Sequence, residues 1–292
     1  MKPPQFEYVR AASVEQAIAA LAAGGGDAKL LAGGQSLVPM LNFRLLGPSV
    51  LIDINRIPGL DKVEERSGGG LRIGALTRHR TLETSALVKR HFPVLGEAMT
   101  HVAHLAIRNR GTIGGSLTHA DPAAELPVMA MLLEAEIATA SPSGGRTIKA
   151  KDFFVAALTS AVRDDEMVVH VDLPALPART GWAFEEYSRR TGDYALAAVA
   201  VLLTASAGKV AHARIAMMGI GDTPLRATVA EALLPGRACD EKAVSETVAA
   251  IRAAVEPNTD LHASADYRRH LVGVLARRAL AAAWKRALEQ IQ

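Results

Sequence analysis

The sequence predicts an α+β protein with two lobes. Its 292 residues exceed the usual size of one domain. The N-terminal part alternates β-like and helical segments around glycine turns, whereas the C-terminal part shows an apolar β-hairpin pattern followed by helical stretches. We therefore expect a first lobe over residues 1–176, with subdomains of about 1–57 and 58–176, and a second lobe over residues 177–292.

The first subdomain follows the order helix, strand, glycine turn, helix, strand. "ASVEQAIAALAAGGG" predicts a helix that Ser13 caps, with Gln16 three residues later, and that ends in glycines. "KLLA" predicts a strand that runs into a Gly-Gly turn at residues 33–34. "LVPMLNFRLL" then predicts a short helix and "SVLIDI" a strand.

The rest of the first lobe contains a hairpin, helices and three further strands. Residues 60–76 predict a hairpin with "RSGGG" at its turn, and residues 81–106 have helical spacing that Pro93 interrupts. "AELPVMAMLLEA" predicts a helix, and β-like segments flank "SPSGGRT" and make up "EMVVHVDLP".

The second lobe begins after a boundary loop, which the prolines in "PALPARTG" indicate. The hairpin "YALAAVAVLLTASAGKVAHARIAMMGIG" follows, with its turn at "SAGK", and three helical stretches complete the lobe.

Composition excludes several functional classes. The net charge of +3 and the scattered arginines do not form the basic surface that nucleic acid binding requires. The N-terminus lacks an apolar signal segment, and the longest apolar run, residues 194–205, is too short to span a membrane, so we expect a cytoplasmic protein. Cys239 is the single cysteine, which excludes an internal disulfide and an iron–sulfur cluster held by this chain alone.

Two glycine loops are the candidate ligand site. "AGGQS" covers residues 32–36 and "TIGGS" covers residues 112–116. Their bare N–H groups could approach a pyrophosphate closely, although neither loop matches a Rossmann or P-loop motif. Asp121 and Glu125 could accept hydrogen bonds from ribose hydroxyls. The alternatives are that each loop is an ordinary tight turn and that Asp121 only forms a turn before Pro122.

No catalytic or metal site is predicted. His101 and His104 lie three residues apart without a third ligand nearby, and no H-E-x-x-H motif occurs. His119, inside the second glycine segment, could contact a phosphate or stabilise the loop. Neither Ser36 nor Ser116 lies in G-x-S-x-G, so no covalent chemistry is expected.

Four segments together resemble one known family. "LLAGGQSLVPMLNFRL", "IRNRGTIGGSLTHADPAAELP", "YSRRTGDYALAAVAV" and "HASADYRRHLVGVLARRAL" occur in the order found in the FAD-binding medium subunits of molybdenum hydroxylases, the carbon monoxide dehydrogenase and xanthine dehydrogenase group. The resemblance implies a vanillyl-alcohol-oxidase-like (PCMH-type) FAD-binding domain of two α+β subdomains, plus a C-terminal small sheet covered by helices.

The resemblance also implies the FAD contacts. The two loops would hold the pyrophosphate, Glu125 would contact the ribose or adenine with Asp121 nearby, Val169 would contact FAD through its backbone, Glu185 would lie near the flavin pyrimidine, and Tyr194 would cover a flavin face. Ser116 replaces an Asn of the xanthine dehydrogenase branch, and Glu185 replaces a Lys of some relatives, which puts its contact in doubt. The implied loop residues are Ala32, Gly33, Gly34, Gln35, Ser36, Thr112, Gly114, Gly115 and Ser116.

The function implied is electron transfer by a flavoprotein subunit. FAD would take electrons from a small [2Fe-2S] subunit, while a large molybdopterin-binding subunit oxidises the substrate, and would pass them to an external acceptor within a dimer of heterotrimers. The first alternative is a freestanding FAD-dependent oxidoreductase of the same fold. The second is a non-catalytic nucleotide-binding module. Since neither loop contains cysteine, we expect the flavin to be bound without a covalent link.

Overall fold

The computed structural model describes residues 2–289. Its strands are β1 (Glu7–Arg10), β2 (Ala28–Leu31), β3 (Val50–Asp53), β4 (Val63–Glu65), β5 (Leu71–Gly74), β6 (Glu136–Ala140), β7 (Arg146–Lys149), β8 (Phe154–Ala156), β9 (Thr159–Ser160), β10 (Met167–Leu173), β11 (Thr180–Ser188), β12 (Ala195–Ser206), β13 (Lys209–Met218) and β14 (Leu225–Arg226). Its helices are α1 (Val14–Ala23), α2 (Leu37–Asn42), α3 (His79–Thr84), α4 (Ala86–His91), α5 (Pro93–His101), α6 (Leu105–Arg108), α7 (Ile113–His119), α8 (Glu125–Leu132), α9 (Ala150–Phe153), α10 (Thr228–Glu231), α11 (Glu241–Ala254) and α12 (Ala265–Glu289).

The first sheet is small and parallel, in the order β1-β3-β2. Helix α1 precedes β2, and its start is capped as predicted: the Ser13 hydroxyl accepts from the Gln16 N–H, and the Gln16 side chain accepts from the Ala12 N–H. The predicted strand–turn–helix–strand order is confirmed by β2, α2 and β3, with α2 ending earlier than expected, at Asn42.

The second sheet is antiparallel, in the order β4-β5-β10-β6-β7. The predicted hairpin at residues 60–76 is its β4–β5 pair. Pro93 interrupts the helical region as expected because it begins α5, where its missing N–H costs nothing. Helices α3 to α5 and α8 bury the large side chains of this core, among them Phe92, Leu95, Met99 and Leu132.

The third sheet, β11-β12-β13-β14, is antiparallel and is covered on both faces. Helices α11 and α12 pack on one face, and α8 and α5 of the N-terminal part contact the other. Ala195 to Ala205 are therefore all buried, which explains why β12 is apolar throughout and does not alternate. The sheets and the helices packed on them confirm the predicted α+β class. None of the helices over residues 2–289 is long and apolar enough to cross a membrane.

Gly181 lets the long helix α12 approach β11 closely. A Cβ atom at this position would lie 2.0 Å from the Ala283 carbonyl oxygen and 2.3 Å from the Ala287 nitrogen. Because both atoms belong to the helix backbone, no side-chain rotation can relieve the clash.

Gly181→Ala is expected to lower the free energy of unfolding by about 2–3 kcal/mol, since α12 must move away from the sheet. Gly221→Ala is the matched control because its Cβ would meet Leu225 at an ordinary 3.6 Å. Urea unfolding followed by circular dichroism measures both. Equal stability of the two variants would contradict the close packing of α12.

Candidate functional site

The first glycine loop presents backbone donors that the chain leaves unused. It links β2 to α2, and Gly34 has φ +73°, a conformation that side chains other than glycine rarely adopt. Within the part of the chain that the structure describes, the N–H groups of Gly33, Gly34, Gln35 and Ser36 have no hydrogen-bond partner. The Gln35 side chain turns back and donates to the Gly33 carbonyl at 3.2 Å. This row of free donors suits an anionic ligand.

The second glycine loop uses its donors to hold the chain together. Thr112 caps α7, with its hydroxyl accepting from the Gly115 N–H at 3.1 Å. The Ile113 N–H donates to the Thr77 carbonyl at 3.0 Å, and the Gly114 N–H donates to the Ala75 carbonyl at 2.9 Å. The two loops therefore differ in a way that the sequence did not indicate, because free amides are concentrated in the first loop.

The glycines also allow protein backbones to approach each other. A Cβ at Gly33 would lie 2.3 Å from the Arg110 carbonyl oxygen, and one at Gly114 would lie 2.8 Å from the Ala75 Cβ and carbonyl oxygen. Gly111 similarly faces the His79 ring, since a Cβ there would lie 2.7 Å from the ring Cε1. Gly33 and Gly114 are therefore required for packing within the chain, whether or not a ligand also approaches them.

A cavity of about 770 Å³ runs from these loops to the third sheet, within the range of ligand sites in proteins. Its walls include residues that the sequence did not single out, such as His79, Leu158 and Arg163. No sequence pattern links these to the loops, because they come together only through the tertiary fold. Of the predicted residues, the cavity is lined by Ala32, Gly33, Gly34, Gln35, Ser36, Thr112, Gly114, Gly115, Ser116, Asp121, Glu125 and Tyr194.

Val169 and Glu185 do not line the cavity. The Val169 carbonyl accepts from the Ala75 N–H at 3.0 Å, and its neighbours Met167 and Val168 form the wall instead. A register shift between Val168 and His170 accounts for this change of face. The FAD contacts expected of Val169 and Glu185 therefore stay predictions.

His79 is a buried imidazole beside the second loop. Its Nε2 lies 3.1 Å from the Thr112 carbonyl, and its Nδ1 is buried without a partner among the described residues. Burial lowers the pKa of His79 to about 4, so the ring is neutral near pH 7. A neutral ring donates from Nε2 to Thr112 and carries an unused acceptor at Nδ1.

A tight turn shapes the wall between the second loop and α8. The Asp121 carboxylate accepts from the Ala123 N–H at 2.9 Å, so Asp121 does form the turn that the alternative interpretation expected. The Gly219 N–H, from the third sheet, donates to the Pro122 carbonyl at 3.0 Å. This bond ties the second lobe to the turn and so to the cavity wall at Glu125.

Two carboxyl groups interact electrostatically here: Glu125 lines the cavity wall, and Glu186 is buried nearby in β11. Glu186 has a side chain that is only 2% exposed, and its Oε2 has no hydrogen-bond partner among the described residues. Burial raises the pKa of Glu186 to about 7, and burial together with the charge of Glu186 raises the pKa of Glu125 to about 8. Both groups are therefore substantially protonated near pH 7 and can donate hydrogen bonds.

His101 does not neutralise this pair. Its Nδ1 lies 4.0 Å from a Glu186 oxygen, but burial lowers the pKa of His101, so the ring is not a permanent cation. The ring packs edge-on against Phe184, with 5.2 Å between centroids. Sequence reasoning missed Glu186, although the two-residue period of β11 places it on the same face as the buried Phe184.

Tyr194 stands at the mouth of the cavity. It lies immediately before β12, and not within a strand as predicted, and it is 72% exposed. The surroundings partly enclose the phenol and, with Asp121 and Glu125 nearby, raise the pKa of Tyr194. An exposed ring at the opening can move against a bound molecule without disturbing the core.

The carboxyl pair predicts an unusual dependence of stability on pH. The native chain holds protons on Glu125 and Glu186 to about pH 8 and 7, whereas an unfolded chain loses them near 4.5. The native state thus binds more protons than the unfolded state between these values, so its free energy of unfolding must fall as pH rises through this window.

The melting temperature of the flavin-free chain is expected to fall between pH 5.5 and 8. Glu186→Gln should flatten that fall and stabilise the chain at pH 8 by on the order of 1–3 kcal/mol, because it removes a buried charge. Glu185→Gln, one position along the same strand, is the control. A wild-type melting temperature that stays constant or rises over this range would contradict the carboxyl pair.

Comparison with known proteins identifies this architecture. Residues 4–176 match the family described as the FAD-binding domain in molybdopterin dehydrogenase, and residues 182–283 match the carbon monoxide dehydrogenase flavoprotein C-terminal domain. The chain is 46% identical to the 6-hydroxypseudooxynicotine dehydrogenase complex subunit alpha of Paenarthrobacter nicotinovorans, covering 98% of this chain and 97% of the relative. It is 41% identical to the carbon monoxide dehydrogenase medium chain of Hydrogenophaga pseudoflava, covering 98% and 99%.

The structural likeness is equally extensive. A solved structure of carbon monoxide dehydrogenase from Hydrogenophaga pseudoflava superimposes with a TM-score of 0.95 at 43% identity, covering 98% of this chain and 99% of that one. Two matched families over one chain, and relatives matched along nearly their whole length, establish a PCMH-type FAD-binding fold and an oxidoreductase subunit. The cavity with its free loop amides is the candidate site for this cofactor. The chain belongs to the FAD-binding medium subunits of the molybdenum hydroxylase family.

Proposed function

We propose that this chain carries electrons, through bound FAD, from iron–sulfur clusters of a partner subunit to an external acceptor. The observation that carries the proposal is the cavity whose one end is a row of unpartnered amides at residues 33–36 and whose mouth holds the exposed Tyr194. The chain's one cysteine, Cys239, is half-buried and cannot by itself hold a cluster. Electrons from an iron–sulfur cluster would then enter from another chain.

The roles of the lining residues follow from their chemistry. We assign the pyrophosphate of FAD to the free amides of the first loop and to the hydroxyl of Ser116 in the second. Glu125, held protonated by its buried position, can donate to an acceptor on FAD as well as accept from a hydroxyl. Tyr194 is assigned to cover a flavin face, and Asp121 to shape the wall through its turn.

The flavin supplies the redox chemistry, while this chain positions it, excludes water and sets its surroundings. No side chain is assigned as a catalytic acid or base. In the second loop, the Ile113 and Gly114 N–H groups already donate to the Thr77 and Ala75 carbonyls. We therefore propose that this loop acts mainly as a rigid wall against which the first loop is placed. Two neutral carboxyls beside the cavity avoid placing full negative charges in the wall.

We further propose a cytoplasmic complex in which a small [2Fe-2S] subunit and a large molybdopterin-binding subunit join this chain, as a dimer of heterotrimers. The proposed division at residues 176–177 places the two lobes on either side of the flavin. Arg189 and Arg190 are exposed and shortly precede residues 192–194, which line the cavity, and we assign this surface to partner contact. Both relatives described above are named as components of larger enzymes, a complex subunit and a medium chain.

The proposal is tested by purifying the tagged chain from its natural host. Iron, molybdenum and FAD should elute together in constant proportion through gel filtration. The eluate is then mixed anaerobically with carbon monoxide or with 6-hydroxypseudooxynicotine, the compounds for which the two relatives are named. A compound that the complex oxidises should bleach the flavin absorbance in the complex and leave the flavin of the isolated chain oxidised.

Two results would overturn this function. Elution of the flavin-loaded chain without iron and molybdenum would remove the proposed partners. Bleaching of the isolated chain by a substrate would show that it oxidises substrates by itself, as the freestanding oxidoreductase alternative requires.

A further inference from the structure

The two glycine loops lie on different subdomains, and one side chain from each subdomain spans the gap between them. Asn55 follows β3 of the first sheet, and Arg78 lies immediately before α3, close to the second sheet. The Arg78 Nη2 donates to the Asn55 Oδ1 at 2.7 Å. Neither residue belongs to the loops themselves, and neither lines the cavity.

Asn55 forms hydrogen bonds with the backbone at the start of the first loop. Its Nδ2 donates to the Ala32 carbonyl at 2.8 Å and to the Leu31 carbonyl at 3.1 Å. The Asp53 carboxylate accepts from the Asn55 backbone N–H at 2.9 Å and from Nδ2 at 2.8 Å, which fixes the direction of the amide. The free amides of residues 33–36 begin directly after the carbonyls that Asn55 holds.

Arg78 forms a hydrogen bond with the backbone of the segment before the second loop. Its Nη1 donates to the Arg110 carbonyl oxygen. This is the same oxygen that a Cβ at Gly33 would strike, so Arg78 acts at the point where the two backbones are closest. Thr112 also pairs with Arg78 in an isolated β-bridge, and the next residue, His79, donates its N–H to the Gly111 carbonyl at 3.0 Å.

We infer that the Asn55–Arg78 pair sets the distance between the two loops and thereby positions the amides that hold FAD. Besides this bridge, Gly33 lies directly against residues 110–111. A guanidinium is suited to this role because its planar fork can donate to two acceptors at once, whereas a lysine ammonium has no such fixed geometry. Both are positioning residues that act through the loops. The inference rests on the proposed placement of FAD in this cavity.

The test measures FAD affinity of the flavin-free full-length chain by isothermal calorimetry, for wild type, Arg78→Ala, Asn55→Ala and the double variant. Each single variant should weaken FAD binding about tenfold, the loss expected when a charge-assisted hydrogen bond is removed. The double variant should bind no more weakly than about either single one, because each substitution already opens the same bridge. Arg78→Lys should restore less than a third of the lost affinity although it keeps the charge.

Arg80→Ala is the matched control, since Arg80 lies in the following helix and its guanidinium pairs with Glu83 and, among the described residues, makes no hydrogen bond to either loop. It should leave FAD affinity within twofold of wild type. The melting temperature of each flavin-free variant is also measured. A variant that keeps the wild-type melting temperature but binds FAD more weakly has lost loop spacing and not its general structure. If Arg78→Ala does not fold, Asn55→Ala and Arg78→Lys carry the same test, because each opens the bridge from a different side or by a milder change.

The outcomes separate this inference from the proposed site. Unchanged FAD affinity in folded Arg78→Ala and Asn55→Ala, additive losses in the double variant, or full rescue by Arg78→Lys would overturn the bridge. Should the wild-type chain bind FAD while Gly34→Val, which strains a residue of φ +73° in the first loop, binds it equally well, the proposed placement of FAD itself would fail.

Discussion

The approach of two backbone segments, at Gly33 and Arg110, is the constraint on which the rest of the site depends. No side chain fits between them, because even a Cβ would lie 2.3 Å from the Arg110 carbonyl oxygen. Since the segments come from a parallel sheet and from a helical layer far apart in sequence, their contact closes one end of a cavity that neither could form alone. Residues 33–36 line that cavity, and no acceptor in the described chain uses their N–H groups, so these donors are available to a ligand.

Both loops are rich in glycine, but Gly34 and Gly114 are required for different structural reasons. In the first loop glycine provides a positive φ and an open face of donors at Gly34. Gly114 in the second loop allows close contact with Ala75, and Gly111, just before that loop, allows close contact with the ring of His79. A ligand held by such a site would gain affinity from donors already in place, because little of the wall needs to be ordered on binding.

Much of the fold could be predicted from the sequence, since periodicity, capping and turn residues are local signals. The Ser13 cap, the β4–β5 hairpin and the apolar β12–β13 hairpin belong to this class. The site was harder, because hydrogen-bond partners distant along the chain decide which amides are free. The bulge between Val168 and His170 and the unpartnered oxygen of the buried Glu186 side chain also depend on tertiary pairing and packing, which local sequence patterns do not reveal. Residue roles assigned from a family resemblance, position by position, do not take such local features into account.

Amide hydrogen exchange of the full chain, with and without FAD, tests most directly the claim that the first loop supplies the donors. Without FAD, the amides of residues 33–36 should exchange rapidly because nothing in the described chain accepts from them, and those of Ile113 and Gly114 should exchange slowly. FAD should slow residues 33–36 strongly and change the second loop little. A separate crevice is lined by residues that include Leu176 and His212. Protection by FAD confined to that crevice, or unchanged exchange at residues 33–36, would contradict the account.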